Sequence, residues 1–177
     1  MRQNWIETAS GKAIDFADID NNYYDIGDIA HALGQLCRYT GHCRKFYTVA
    51  EHSVHMSRLV EPDIALFALM HDAVEAYVGD VSAPLKGLLV NYKAIEHRIA
   101  DAVMLQFCGE VLDGERYRRV KIADIRILLT EAEQLMYSHG ENWPLRKKFE
   151  PFDIQLACWD CVGAQCAFLH RYKELTQ

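Results

Sequence analysis

The sequence predicts an all-α fold, a compact helical bundle behind a short extended N-terminal segment, in one domain over residues 1–177. Three observations carry this expectation. Apolar residues recur every three or four positions from about residue 26 onward, the period of helices that bury one face. Capping residues and glycine or proline stops separate these stretches at helix-length spacing. No repeat, low-complexity stretch or linker interrupts them, and a chain that is 50% apolar and 25% charged has the make-up of an ordinary globular domain.

The first 24 residues contain WIETASGKAIDFADI, an extended or hairpin-like segment turning at Ser10-Gly11. Asp25 is placed to cap a helix with Ile26, Ile29, Ala30, Leu33 and Leu36 on one face. Residues 38–47, RYTGHCRKFY, break the period and read as a charged loop. Thr48 and Glu51 have the spacing of a capping box, so the next helix starts there and turns His52, His55, Met56 and Leu59 inward. Pro62 suits a first turn, and the helix after it is expected to run unbroken over 64–78 and stop at Gly79. Residues 80–87 read as a loop in which Pro84 bars continuation. A long helix follows with Ile95, Ile99, Val103, Met104 and Phe107 on its buried stripe and Gly109 past its end. Another is expected over 115–139, ended by Gly140. NWPLRKKFEPFD is a loop holding Pro144 and Pro151, and the last helix is expected over 153–173.

Net charge and hydropathy narrow the function classes. A charge of −6 argues against nucleic acid as a partner, which needs a basic face, yet leaves room for one nucleotide in a locally basic pocket. No apolar run approaches the roughly 18 residues needed to span a bilayer. MRQNWIETASGK has no apolar signal core. No membrane partner is expected, and the protein is expected in the cytoplasm, that of the host if it is phage-encoded. Cys37, Cys43, Cys108, Cys158, Cys161 and Cys166 are then expected to be reduced. Cys158 and Cys161 form a CxxC with no second pair to complete a zinc site; they fall in a helical pattern and read as core packing.

The chemistry centres on His71-Asp72 in ALMHDAVEAYVGDVSAPLK, with His52 upstream in TVAEHSVHMSRLV and Asp124 downstream in VKIADIRILLTEAEQLM. Each lies in an otherwise apolar helical stretch, where an unpaired charge is costly. A single histidine on such a face is more often a satisfied core residue than a ligand; four residues in the order H…HD…D are a different matter. Two imidazoles and two carboxylates suit a divalent ion and leave positions open on it, with zinc, cobalt, manganese and iron all fitting. Such an ion lowers the pKa of water and polarises phosphoryl oxygen.

Glu75, one helical turn after His71, shares that neighbourhood as a general base or as the holder of a water. Asp80 falls near the mouth of the same site or serves as a turn residue. Arg38, His42, Arg44 and Lys45 precede the His52 helix, and Lys86 follows Asp80; these are candidate phosphate ligands, arginine being suited to a bidentate grip. Lys121, one turn before Asp124, is a further candidate, and for it and Lys45 a solvated surface charge is an equal reading. His55 reads as packing, and His31, His97, His139 and His170 as ordinary.

EHS (51–53), MHDAVEAYVGD (70–80), SAPLK (82–86) and KIAD (121–124) resemble the HD-domain metal-dependent phosphohydrolases, over residues 26–130. The resemblance implies an HD-type helical bundle with His52, His71, Asp72 and Asp124 as metal ligands. In its bacterial 5′-deoxynucleotidase branch, a glutamate and an aspartate at the offsets of Glu75 and Asp80 act in acid/base chemistry or hold a second ion, such as magnesium. Arg38 resembles the arginine upstream of the first metal histidine there, although the loop spacing differs. TASGKAIDF, DIGDIAHAL, RYTGH and FYTVAEHS are similar to small phage HD proteins, some of which are dATP triphosphohydrolases. The expected function is therefore a dATP-preferring dNTP triphosphohydrolase releasing deoxynucleoside and triphosphate. The alternative is a 5′-deoxynucleotidase acting on dNMPs, and the competing class is a nucleotide-binding protein without turnover. The cationic loop residues favour the triphosphate. Trp5, Ile14, Phe16, Ile19 and Tyr24 form an apolar clasp for a base or, the better reading for any one of them, staple the segment to the core. The resemblance also implies a homo-oligomer.

Overall fold

The alternation of Ile6, Ile14 and their polar neighbours makes a hairpin with one face on the helices. The computed structural model describes residues 4–177, so Met1 to Gln3 of the expected extended segment lie outside the described residues. Strands β1 (Trp5–Glu7) and β2 (Ala13–Asp15) pair antiparallel with Ile6 opposite Ile14. The turn between them is anchored by Ser10, whose N–H and hydroxyl donate to the Asp28 carboxylate at 2.8 and 2.7 Å. Ile14, Ile19 and Tyr24 are all buried in the main core, and the Tyr24 ring lies 5.2 Å from that of Tyr77. They staple the segment to the bundle, and Ile19 and Tyr24 also line a surface cavity beside Arg98 and Gln106.

Among the described residues eight α-helices follow: α1 (Ile26–Gln35), α2 (Val49–Leu59), α3 (Pro62–Met70), α4 (Glu75–Val78), α5 (Ala83–Lys86), α6 (Val90–Cys108), α7 (Gly114–Leu135) and α8 (Cys161–Thr176). Asp25 caps α1 by accepting from the N–H groups of Gly27 and Asp28. The apolar faces of α1, α2, α3 and α8 meet, and α2 also lies against α7. At the closest approach a Cβ on Gly34 of α1 would stand 2.9 Å from the Cys161 carbonyl oxygen, so glycine is what lets α8 start against α1. The all-α expectation holds, and among the described residues no helix is long and apolar enough to cross a membrane.

Four boundaries differ from the periodic reading, most of them because a group from elsewhere in the chain takes a backbone partner that a regular helix would use. The helix expected over 64–78 breaks at the His-Asp pair. The His71 Nδ1 takes the Ala68 carbonyl at 2.8 Å, the acceptor that would close the next turn. Backbone bonds then tighten to the three-residue spacing, from Ala73 to Met70 and from Glu75 to Asp72, before α4 begins. In the loop expected over 80–87, Pro84 opens the short helix α5, since a first turn tolerates a missing N–H. Helix α7 ends at Leu135 instead of 139, because the Arg44 N–H and guanidinium take the Leu135 and Gln134 carbonyls.

Helix α8 starts at Cys161, not near 153, capped by Asp160. Residues 156–159 are held in non-helical form because side chains satisfy their N–H groups. Leu156 donates to Gln134, and Ala157, Cys158 and Trp159 all donate to the Glu51 carboxylate at 2.6–3.0 Å. Glu51 therefore does not complete a reciprocal capping box; only Thr48 does its half, accepting from the Glu51 N–H. Cys158 stands in a left-handed turn residue (φ 55°) ahead of α8, so the CxxC straddles a helix start rather than lying within a helix. Replacing Glu51 by alanine is expected to cost about 2–3 kcal/mol, because it leaves three N–H donors without their acceptor. Hydrogen exchange reads this directly: the amides of Ala157, Cys158 and Trp159 lose protection ahead of the helices. Unchanged protection there would refute the role given to Glu51.

Candidate metal centre

The break between α3 and α4 turns His71 and Asp72 toward α2 and α7, where His52 and Asp124 meet them. His52 is fully buried and His71 nearly so. The outer nitrogen of each ring is already engaged. His52 Nδ1 faces Glu131 Oε1 at 2.6 Å, and His71 Nδ1 faces the Ala68 carbonyl at 2.8 Å. A carboxylate and a carbonyl only accept, so both Nδ1 atoms carry a hydrogen, and in the neutral rings both Nε2 atoms present lone pairs.

Those two Nε2 atoms stand 3.3 Å apart. Asp72 Oδ2 is 3.1 Å from the His71 Nε2 and 3.5 Å from the His52 Nε2, and Asp124 Oδ1 is 3.6 and 3.9 Å from the His52 and His71 Nε2 atoms. Four electron-rich atoms facing one another repel unless a proton or a metal cation lies among them. Donors about 2.1 Å from a shared ion are separated by roughly 3.0–3.4 Å at octahedral or tetrahedral corners, close to the distances found. The donor set therefore fits a divalent ion, with His52, His71 and Asp72 as its tightest part. Histidine ligands whose other nitrogen donates to a carboxylate or a carbonyl are the usual arrangement around a bound metal.

The charges respond to this crowding. Burial pushes the Asp72 carboxyl up, but His71, His52 and Arg38 more than offset it and hold Asp72 well below the usual range. Asp124 is likewise held low, by His71 and Lys121 against burial. Burial lowers the His71 imidazole, yet Asp72 outweighs it and the net direction is upward. Glu75 goes the other way: burial, then Asp72 and Asp80, push its carboxyl well up. Its Oε2 is buried with no hydrogen-bond partner among the described residues. Asp80 is also raised, first by burial.

Beside His71, Asp72 and Glu75 opens a cavity of about 330 Å³. Lys86, Lys93 and Lys121 line it together with His97, and Met104, Leu112, Tyr117 and Val120 give it an apolar part. Lys86 is ion-paired to Glu96, and Lys121 to Asp124 Oδ2 at 2.9 Å. Of the expected phosphate ligands only Lys86 and Lys121 line this cavity. Arg38 is buried, with its guanidinium 3.5 Å from Asp72 Oδ2 and 3.1 Å from Glu131 Oε2, so it braces the ligands. His42 is exposed and Arg44 is used on the end of α7; neither lines the cavity. His55 packs as expected, stacked on Trp159.

The sequence reading missed Glu131, Lys93 and His97. Glu131 had a legible signal: it lies seven residues after Asp124 on the same face of α7, and it is a carboxylate in the apolar run ILLTEAEQL. Lys93 and His97 had none, since they are exposed residues on the outer turns of α6.

No family model matches the chain. The uncharacterized Escherichia coli K12 protein YfdR is 39% identical over 178 residues, covering 98% of this chain and 97% of that protein. An uncharacterized protein of Rhodobacter capsulatus is 34% identical over 146 residues, covering 76% of this chain and 74% of that one. Neither name carries an activity.

Proposed function

The chain belongs to the family of Escherichia coli YfdR, and we propose that it is a metal-dependent phosphohydrolase of deoxynucleotides, a dNTP triphosphohydrolase preferring dATP. The observation that carries this reading is the pair of Nε2 lone pairs fixed 3.3 Å apart between two carboxylates, with a lysine-lined cavity beside them. His52, His71, Asp72 and Asp124 would hold the ion. When bound, it lowers the pKa of water and polarises a phosphoryl oxygen.

The chain's own groups account for the remaining requirements. Glu75 Oε2 is buried without a partner among the described residues, and burial with Asp72 and Asp80 beside it pushes its carboxyl well up, the direction that suits a group exchanging a proton next to Asp72. Lys86, Lys93 and Lys121 line the cavity where an anionic chain would lie, and Lys86 and Lys121 would meet it by exchanging their partners Glu96 and Asp124. The apolar part at Met104, Leu112 and Val120 suits the uncharged end of a nucleotide. Arg38 fixes Asp72 and Glu131 and is a positioning residue. The preference for adenine rests on the resemblance of the N-terminal part to the small phage enzymes.

One observation favours a second reading, a 5′-deoxynucleotidase. Lys86 and Lys121 are already paired with Glu96 and Asp124, which leaves less positive charge for a triphosphate than for a monophosphate. Product analysis by chromatography separates the two, using protein loaded with manganese, cobalt or zinc and each dNTP and dNMP in turn. Deoxyadenosine and triphosphate from dATP are the expected products. Inorganic phosphate from dNMPs, with dNTPs intact, assigns the monophosphate reaction. Tight binding of dATP with no hydrolysis of either class removes the enzyme reading.

A further inference from the structure

Two of the six cysteines face each other across the turn that carries Arg38. Cys37 Sγ and Cys43 Sγ stand 3.5 Å apart, and the Cys43 thiol points back to the Arg38 carbonyl oxygen at 3.7 Å. The backbone holds them there. Cys37 is bridged to Thr48, the Arg38 N–H donates to the Tyr47 carbonyl at 2.9 Å, and the His42 N–H donates to the Tyr39 carbonyl at 3.0 Å. Between the cysteines the chain doubles back through Tyr39 and Thr40, both left-handed at φ 57° and 54°. That conformation is uncommon for any residue other than glycine and more so for a β-branched one.

We propose that Cys37 and Cys43 are an oxidative modification site, closing to an intramolecular disulfide by exchange with a low-molecular-weight disulfide such as oxidised glutathione. A disulfide needs its sulfurs about 2.05 Å apart, so closure asks for an approach of roughly 1.5 Å between side chains that already face each other. Both thiols are partly buried, within reach of a small oxidant. Other pairings are less well placed: the sulfur nearest Cys108 is the thioether of Met104, which forms no disulfide. Cys158 is the competitor, because it packs on the same small cluster of Tyr47, Leu135 and Leu156 as Cys43.

The chemistry balances. One thiol of the pair gives its proton to solvent, and the thiolate attacks a glutathione sulfur, breaking that S–S bond and releasing one glutathione thiolate. The second cysteine, as thiolate, attacks the mixed disulfide, forms the Cys37–Cys43 bond and expels the second glutathione thiolate. The two cysteines lose two electrons and two protons, and oxidised glutathione gains them as two thiols. Burial, then Cys37, pushes the Cys43 thiol up to about 11, so closure is slow at neutral pH and quickens in mild alkali. The bond ties both ends of the turn whose Arg38 and Tyr39 side chains hold Glu131. The pairing of the two cysteines does not depend on the proposed hydrolysis, although the turn they close reaches the same Glu131 that holds His52.

The full chain, incubated with oxidised glutathione in mild alkali, quenched with an alkylating agent and mapped by mass spectrometry, tests this. The expected product has lost two hydrogens, and its cross-linked peptide joins Cys37 to Cys43. It forms equally in Cys158→Ser and is absent in Cys37→Ser, where Cys43 keeps glutathione or stays alkylatable. Exposed Cys166 reports that the oxidant has acted. Glutathione on Cys166 with Cys37 and Cys43 both alkylated overturns the proposal, as does a cross-link from Cys43 to Cys158. Mapping of the unmodified sequence decides the matter even if a variant does not fold.

Discussion

Replacing His71 by alanine is expected to abolish hydrolysis and strip the bound divalent ion while leaving the helices in place. His71 Nε2 is the donor atom nearest to both its partners, 3.1 Å from Asp72 and 3.3 Å from His52, so without it the cluster loses its centre. A divalent ion contributes several kcal/mol of transition-state stabilisation, and each 1.36 kcal/mol is tenfold in rate. The expected loss of activity is thus on the order of 10³-fold or more. The fold should tolerate the change, because the ring's one structural bond goes to the Ala68 carbonyl, which a continued helix satisfies by itself. Far-ultraviolet circular dichroism is therefore expected to stay the same or gain slightly in helix. Metal content by elemental analysis and steady-state rates on dATP and dAMP are the measurements. A variant that keeps both its ion and its rate would falsify the metal assignment, since no remaining residue replaces that nitrogen.

The same residue shows how far the sequence could be read. The order H…HD…D named all four residues that meet there: His52 and Asp124 sit on helix faces, and His71 and Asp72 sit in the turn between α3 and α4. The backbone at the ligands was not legible. A period of apolar residues through LFALMHDAVEAYV predicts one unbroken helix, and only the competition of the His71 ring for the Ala68 carbonyl breaks it. The start of α8 was hidden for a similar reason: a carboxylate on α2, Glu51, captures N–H groups more than a hundred residues away. Such long-range capture leaves no local period to read. The charged loop shows the opposite error. Arg38, His42, Arg44 and Lys45 look like one cationic cluster in sequence, but Arg38 goes inward to Asp72 and Glu131 and Arg44 goes to the end of α7. The lysines at the cavity come instead from three separate segments.

Glu131 is where stability and metal binding are expected to fall together. It is fully buried and accepts from His52 Nδ1 at 2.6 Å, Tyr39 OH at 2.9 Å and Arg38 Nε at 3.1 Å. Among the described residues, Glu131→Ala leaves the buried Arg38 guanidinium with Asp72 at 3.5 Å as its remaining ion-pair partner, and removing one partner of a buried ion pair costs about 3–5 kcal/mol. The His52 ring also loses the acceptor that fixes its tautomer, and loss of such an outer partner weakens metal binding about 10–100-fold. The double variant Arg38→Met, Glu131→Leu is expected to recover much of the stability, since neither charge is left alone, and none of the metal affinity. Acid separates the roles further. Burial raises the Glu131 carboxyl, but Arg38, His52 and the Tyr39 hydroxyl together hold it below its ordinary 4.5. A depressed carboxyl contributes stability that is fully present above its unfolded pKa and is lost as pH falls through the folded one. Chemical denaturation of the metal-free protein between neutral pH and the region below 4.5 should therefore lose stability more steeply than Glu131→Gln does, and the two curves should approach each other at the acid end. Parallel curves would place the acid-sensitive carboxylate elsewhere and leave Glu131 as packing alone.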